Sequence, residues 1–350
     1  MTDVHTTGRR GLLERLAEGP VICAEGYLFE FERRGYLQAG AFVPEVVLEH
    51  PELVTQLHRE FVHAGSDVVE AFTYYAHREK LRLLGKEHLL EEMNRQALTI
   101  ARNVARENNA LLAGDLSNTN VFMADDASRS AVRAMFEEQV GWAVEAGVDF
   151  IIGETFSWTE EASIALAEIK RAGAVAVITL AAHQLGRTRD GFSYEDACKR
   201  LEDEGADVVG LNCSRGPRTM LPLLAPIRRA VKGHIAALPV PYRTTDAEPT
   251  FQSLQDPTMD LPGGRPFPTA LDSFLCNRYE IAAFGRAAYD LGVRYLGVCC
   301  GAGPHHIRSL AEALGRTPPA SRYTADMSKH AYFGTDARVP KEYREYARKL

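Results

Sequence analysis

Short apolar segments of strand length alternate with helical segments along nearly the whole chain. Most of the apolar segments are almost continuous, which is typical of parallel strands covered on both faces. The intervening segments, such as "SAVRAMFEEQVGWAVEAG" at 130–147, place apolar residues three and four apart and end in glycine, which predicts helices. The eight predicted strands are 21–27, 66–76, 110–118, 148–156, 174–182, 206–214, 234–242 and 293–301.

Eight uninterrupted strand and helix pairs predict an α/β protein with a single (β/α)8 TIM barrel. A doubly wound open sheet is the alternative, but the unbroken alternation favours closure into a barrel. We expect the barrel to span residues 1–316. Residues 317–350 are expected to form a C-terminal arm, since "VPKEYREYARKL" at 339–350 has a helical pattern after an irregular segment.

Polar residues and cysteines stand at the carboxyl ends of the predicted strands. Functional residues of (β/α)8 barrels lie at these ends, so we expect the side chains to share one rim. Strands six and eight are separated by a single strand, which allows the cysteines at their ends to converge. The rim residues are Glu25, Gly26, Thr73, Tyr74, Tyr75, Ser117, Asn118, Glu154, Asn212, Cys213, Tyr242, Cys299 and Cys300.

The adjacent Cys299 and Cys300 have three interpretations: a vicinal disulfide, two unrelated buried thiols, or two ligands of one metal ion. Six cysteines without regular spacing do not form a disulfide framework. Three thiolates suit Zn²⁺, which predicts a site of Cys213, Cys299 and Cys300. Both adjacent cysteines reach one ion only where the strand gives way to the following glycine-containing turn, because neighbouring strand residues point to opposite faces. Cys213 as a small buried apolar residue is the alternative.

Composition is that of an ordinary globular protein, which we expect in a reducing cytoplasm. The formal net charge is −7, and no basic tract favours nucleic acid. No segment reaches the roughly 18 apolar residues of a membrane span, and "MTDVHTTGRR" lacks the apolar core of a secretory signal. Grouped thiols in a reducing compartment more often bind metal or do chemistry than form disulfides.

Two motifs resemble the homocysteine S-methyltransferase family: "GLNC" at 210–213 and "GVRYLGVCCGAGPHHIRSLAEAL" at 292–314. The segments "FERRGYLQAGAFVPEVVLEHPELVTQLHREFVHAGSDVVEAFTYYA" and "VDFIIGETFSWTEEA" resemble its betaine-dependent enzymes in particular. The resemblance extends from about residue 11 to the last residues. It implies a (β/α)8 barrel enzyme in which zinc on three cysteines activates L-homocysteine, and an onium donor supplies the methyl group that forms methionine.

The resemblance also implies roles for individual residues. Glu154 corresponds to a carboxylate that anchors the homocysteine amino group, although a structural ion pair would also place a glutamate there. Phe42 and Tyr75 correspond to aromatic residues of the methyl-donor pocket, where ring faces attract an alkylated cation; ordinary core packing is their alternative. Gly26 allows close approach of the backbone to substrate.

Four departures from the betaine-dependent enzymes lie near one pocket. Ala24-Glu25-Gly26 replaces Asp-Gly-Gly, which leaves open whether Glu25 takes over from the missing aspartate. Phe42 replaces a tryptophan, Glu70 a glutamine and Thr155 a tyrosine. We therefore predict that glycine betaine is a poor donor and that another quaternary ammonium or sulfonium compound, such as S-methylmethionine, is preferred. The alternative is that Glu70 points away or pairs with an arginine of the long loop, such as Arg265.

Two further expectations concern the surface. The segment 243–277 is long and rich in proline and glycine, which is typical of a lid or a disordered segment. The C-terminal arm predicts a homodimer. A non-catalytic zinc-thiolate redox sensor is the alternative from another functional class, but a sensor needs neither an ammonium-binding carboxylate nor an aromatic donor pocket.

Overall fold

The computed structural model describes residues 10–350 and contains an eight-stranded, all-parallel barrel sheet with the order β1-β8-β7-β6-β5-β4-β3-β2. This confirms the predicted (β/α)8 barrel. Residues 1–9, on which the expectation about a secretory signal rests, lie outside the described residues. The strands are β1 Val21–Ala24, β2 Val68–Glu70, β3 Leu111–Ser117, β4 Phe150–Phe156, β5 Ala176–Ala181, β6 Val208–Asn212, β7 His234–Leu238 and β8 Tyr295–Val298.

The helices cover the outside of the sheet, and one or more of them follows every strand. Their apolar faces pack against strands that are themselves almost fully buried. They are α1 Leu12–Glu18, α2 Tyr27–Arg33, α3 Val46–Glu49, α4 Pro51–Ala64, α5 Arg78–Leu84, α6 Leu90–Asn108, α7 Asp126–Glu145, α8 Thr159–Arg171, α9 Tyr194–Asp203, α10 Pro217–Ala230, α11 Arg278–Asp290, α12 Pro304–Ala313 and α13 Lys341–Ala347.

Asp67 joins the first and second strands, where the barrel closes. Its backbone N–H donates to the Ile22 carbonyl at 2.8 Å, and its carboxylate accepts from the Ile22 N–H at 2.8 Å. The same carboxylate is paired with Arg316, just beyond α12. One side chain therefore ties β1, β2 and the last barrel helix together at the end opposite the rim.

Several strands end earlier than the apolar pattern predicts. β2 stops at Glu70 and β8 at Val298, so Tyr75 and Cys299 lie in loops rather than in strands. Left-handed backbone conformations account for part of the difference, because Tyr75 has φ 62° and Cys213 has φ 55°. A residue with positive φ cannot continue a pleated strand. Neither position is a glycine, so nothing in the sequence indicated the left-handed conformation.

The long segment 243–277 follows β7 and is packed onto the barrel. Phe251 is buried, and its ring lies 5.9 Å from that of Phe29 on α2. Phe267 also contacts Phe251, at 4.9 Å. Asp272 forms an ion pair with Arg33 at 3.2 Å. These contacts order the segment as a cover beside the rim. Of the two expectations for it, a lid or a disordered segment, the structure therefore fits the lid.

Beyond α12 the chain runs over the surface in short helical turns to α13. The turn Pro319–Tyr323 packs beside α4 and α12, and Ser321 donates a hydrogen bond to Glu312 at 2.9 Å. The boundary between barrel and arm at residues 316 and 317 stays a prediction. Within residues 10–350, no helix is both long enough and apolar enough to cross a membrane.

Candidate functional site

Cys213, Cys299 and Cys300 meet at the carboxyl end of the barrel, with their sulfur atoms all within 4.8 Å of one another. The end of β7 positions both cysteine-bearing loops. The Cys213 N–H donates to the Leu238 carbonyl at 2.9 Å, and the Cys299 N–H donates to the Pro239 carbonyl at 2.9 Å. Strand seven therefore serves as the common anchor for the ends of strands six and eight.

The turn after Cys299 brings both adjacent thiols to the same place. The Ala302 N–H donates to the Cys299 carbonyl at 3.0 Å, and Gly301 adopts φ 92°. A side chain at Gly301 would also collide with the Tyr242 hydroxyl, so only glycine fits this turn. The sulfur atoms of Cys299 and Cys300 are 3.9 Å apart, and both are free thiols.

The three thiols compete for protons. Hydrogen bonds from Cys299 and Cys300 hold the pKa of Cys213 well below its usual range. Burial raises the pKa of Cys299, and the hydrogen bond with Cys213 raises that of Cys300. Three thiolates in a buried position require a cation to offset their charge. Three soft ligands in one place match the donor set of a thiophilic metal ion.

Four buried carboxyl groups adjoin the thiols: Glu25, Glu70, Asp115 and Glu154, none more than 5% exposed. Each comes from a different one of the first four strands or the loop directly after it. Oxygen atoms of Glu70, Asp115 and Glu154 lie within 4.8 Å of one another. Glu25, Glu154 and the Cys299 sulfur form a second such group. The carboxyl cluster and the thiol cluster are therefore continuous.

Asn212, the last residue of β6, connects the two clusters through its side-chain amide. The amide nitrogen donates to Glu154, to Thr155 Oγ1 at 2.8 Å and to Glu25 Oε2 at 3.4 Å. It also lies 3.8 Å from the Cys299 sulfur. The amide oxygen accepts from the Thr155 N–H at 2.9 Å. A neutral residue thus orients Glu154 and Glu25 without cancelling their charge.

Burial makes the carboxyl groups hard to ionise. It raises the pKa of Glu25 to about 8. It also raises the pKa of Glu70, Asp115 and Glu154 well above the usual range, and the neighbouring carboxylates raise them further. Such a cluster takes up protons or binds a positively charged partner at neutral pH.

A small cavity of about 10 Å³ lies between the two clusters. Five residues predicted from the sequence line it: Glu25, Glu70, Glu154, Cys299 and Cys300. This volume is about that of one water-sized species. Cys213 lies beside the cavity through its contacts with the other two cysteines.

The predicted donor-pocket residues contact different aromatic rings. The Tyr75 ring lies against that of Tyr74 in a tilted arrangement, with centroids 4.4 Å apart, and the Lys80 ammonium lies 4.0 Å from the centre of the Tyr75 ring. Phe42, with φ 56°, packs against Phe29 at 5.7 Å. Their ring contacts thus belong to two different aromatic groups, and a shared donor pocket remains a prediction.

Gly26 allows a close approach between the first and last loops of the barrel. A side chain there would collide with the Ala302 backbone, which fits the expectation that its small size matters. The contact is with protein backbone, so a role towards substrate stays a prediction.

Both carboxylate oxygens of Glu70 lack a hydrogen-bond partner among residues 10–350. The alternative that Glu70 pairs with Arg265 is therefore wrong, and Arg265 is exposed.

Sequence reasoning missed Asp115 as a site residue, and it placed Asn212 and Tyr74 on the rim without giving them a role. A signal for Asp115 was present, because it is the charged residue within the apolar run "ALLAGDLSN". A charged residue in the interior of a buried strand is uncommon without a partner.

Comparison with known proteins covers nearly the whole chain. The family model described as homocysteine S-methyltransferase matches residues 26–314. Betaine–homocysteine S-methyltransferase 1 from Xenopus tropicalis is 37% identical over 344 residues, which cover 94% of this chain and 81% of the relative. S-methylmethionine–homocysteine S-methyltransferase from Pongo abelii is 34% identical over 355 residues, which cover 97% and 93%.

Solved structures show the same fold. The homocysteine methyltransferase MmuM from Escherichia coli, in its metallated form, superposes with a TM-score of 0.65 at 18% identity. The superposition covers 84% of this chain and 96% of that one.

We predict that each of the variants Cys213→Ser, Cys299→Ser and Cys300→Ser loses the bound metal. A serine hydroxyl keeps its proton at neutral pH and is a far weaker ligand than a thiolate. Elemental analysis of dialysed protein measures the metal content, which we expect to fall from one ion per chain towards zero. Cys276→Ser is the matched control, since Cys276 is a buried thiol outside the cluster. Full metal content in Cys213→Ser would show that the ligands are misassigned.

Proposed function

The chain belongs to the homocysteine S-methyltransferase family, and we propose that it methylates L-homocysteine to methionine with Zn²⁺ held by Cys213, Cys299 and Cys300. The observation that carries this proposal is the convergence of three thiols beside a buried carboxyl cluster. A redox sensor without catalysis is not favoured, because relatives over more than nine-tenths of the chain are methyltransferases. We place the enzyme in the cytoplasm, where a reducing environment keeps such thiols free.

Zinc in this site would keep the homocysteine sulfur deprotonated at neutral pH, whereas a free thiol is only a few per cent thiolate. The protein's own contribution is to hold the three ligands together. The carbonyl groups at the end of β7 position Cys213 and Cys299, and the glycine turn positions Cys300. Methyl transfer then requires the sulfur, the methyl carbon and the leaving atom to be held in line.

Glu154 is our candidate for binding the homocysteine ammonium group. It is 4% exposed, and its group with Glu25 and Cys299 places a carboxylate within 4.8 Å of a metal-ligand sulfur. Asn212 and Thr155 fix its orientation by hydrogen bonds. Glu25 shares the Asn212 amide with Glu154, so it is suitably placed to replace the aspartate that betaine-dependent relatives carry one position earlier. An ammonium between two carboxylates would offset part of the buried charge.

Replacing Glu154 with glutamine should weaken homocysteine binding about tenfold or more, because a charged hydrogen bond contributes roughly 1.5 to 3 kcal/mol. Isothermal titration calorimetry of the zinc-loaded protein measures the dissociation constant. Glu161→Gln is the matched control, since Glu161 is a buried carboxylate that accepts bonds from Thr119. Unchanged homocysteine affinity in Glu154→Gln would remove this role.

The methyl donor, we propose, is a quaternary ammonium or sulfonium compound that keeps no carboxylate near Glu70. Glu70 and Asp115 add two acidic groups to the rim beside Tyr74. A carboxylate of the donor next to them would meet like charge, whereas an onium group would be attracted. Relatives include enzymes named for betaine and for S-methylmethionine, so both classes of donor are within reach of this family.

Glycine betaine should therefore give a lower kcat/KM than the best donor in a panel of quaternary ammonium and sulfonium compounds. Glu70→Gln should raise kcat/KM for betaine about tenfold relative to that donor, because it removes the like charge. Methionine formation at saturating homocysteine, without added divalent ions, provides the measurement. Betaine as the best donor of the wild-type enzyme would contradict this proposal.

A homodimer is our proposal for the assembly, with the C-terminal arm at the interface. The arm exposes five aromatic side chains, each between 38% and 68% accessible: Tyr323, Tyr332, Phe333, Tyr343 and Tyr346. Clustered exposed apolar groups of this kind mark interaction surfaces.

Sedimentation velocity at micromolar concentration should show a dimer, and Phe333→Ser combined with Tyr346→Ser should shift it to a monomer. The control is Leu185→Ser, because Leu185 is 82% exposed on a loop of the barrel. A wild-type monomer would refute the dimer, and a dimer unaffected by the arm variants would place the interface elsewhere.

A further inference from the structure

The carboxyl cluster contains more acidic groups than homocysteine requires. One ammonium group carries a single positive charge, and Glu25 with Glu154 already forms the group nearest Cys299. Glu70 and Asp115, on β2 and β3, form a group with Glu154, and Glu70 also lies within 4.8 Å of Glu25. The methyl transfer proposed above gives them an attraction for the onium group of the donor but no direct contact with it.

Glu70 is the observation that points to a ligand. It is 2% exposed, and neither of its carboxylate oxygens has a hydrogen-bond partner within residues 10–350. Asp115 Oδ1 is likewise without a partner in the described part of the chain. A buried polar group without a partner costs free energy, more so if it is charged. Protein residues do not offset this cost, so a bound proton or an occupant of the cavity must do so.

Size and donor chemistry select the occupant. The cavity lined by Glu70, Asp115 and Glu154 has a volume of about 10 Å³, which is enough for one ion or one water molecule. Three carboxylates are the ligands that hard divalent cations prefer. The adjoining thiols are soft ligands, so the two clusters favour different ions.

We propose that Glu70, Asp115 and Glu154 bind one hard divalent cation, of the class of Mg²⁺ or Mn²⁺, in addition to the metal ion on the cysteines. The proposal rests on the proposed function only in taking the cysteine site as filled by zinc. Because Glu154 would contact both the cation and the homocysteine ammonium, the cation would lie next to the bound homocysteine. The cation would also offset the charge of Glu70 and so decide how well the rim accepts a donor that carries a carboxylate.

Mn²⁺ is the probe, because its electron paramagnetic resonance signal in water is lost on binding. Titration of the zinc-loaded protein should show one Mn²⁺ site per chain, from which Mg²⁺ displaces the probe. Glu70→Gln and Asp115→Asn should each raise the Mn²⁺ dissociation constant about tenfold or more, since affinity follows the number of charged ligands. Zinc content and the circular dichroism spectrum should stay unchanged in both variants. Glu87→Gln is the control on the exposed surface and should bind Mn²⁺ like the wild type.

Absence of Mn²⁺ binding to the folded, zinc-loaded wild type would overturn the proposal, as would equal affinity in wild type and Glu70→Gln. Suppression of Mn²⁺ binding by an organic ammonium donor, with no displacement by Mg²⁺, would also overturn it and assign the cluster to substrate. These results are separate from the test of the proposed function. Zinc loss in Cys213→Ser and homocysteine affinity in Glu154→Gln are measured without Mn²⁺.

Discussion

The burial of acidic groups at one end of the barrel is the constraint on which the rest of the site depends. Three thiols and four carboxyl groups share a region with a cavity of only about 10 Å³. Few of their charges persist in such a medium without a cation, because water is excluded and like charges are close. Positive species are therefore required partners of this site: a metal ion on sulfur, the ammonium of the acceptor and the onium group of the donor.

The barrel tolerates this concentration of acidic groups because the hydrogen bonds of its backbone are already formed within the sheet. Parallel strands pair around the sheet, and Asp67 ties the closing seam at the opposite end. The rim can therefore carry strained and repulsive features that the core stabilises. Cys213 and Tyr75 in left-handed conformations are two of them. The carbonyl groups at the end of β7 hold the two cysteine-bearing loops, and the amide of Asn212 holds Glu154 beside them.

The chain combines a cluster of three thiols with a neighbouring cluster of buried acidic groups. The cysteine motifs match the pattern of the homocysteine S-methyltransferase family, whose model spans residues 26–314. Glu25, Glu70 and Asp115 make the neighbouring pocket more acidic than zinc binding and one ammonium require. The acceptor chemistry is shared with the family, and electrostatic attraction on the donor side depends on the net charge of the rim.

The sequence by itself determined the eight strand and helix units, the barrel and the presence of the cysteine motifs, because each depends on local periodicity or on adjacent residues. It also indicated Glu154 as a rim residue, since it stands at a strand end, while Glu70 was singled out through the family resemblance. Only the tertiary structure decided that Asp115 joins them and that Asn212 connects carboxyl groups to sulfur. It also showed that Phe42 and Tyr75 contact different aromatic rings. These relations join residues far apart in the chain, and they depend on loop conformations and on the direction of each side chain, which no local pattern encodes.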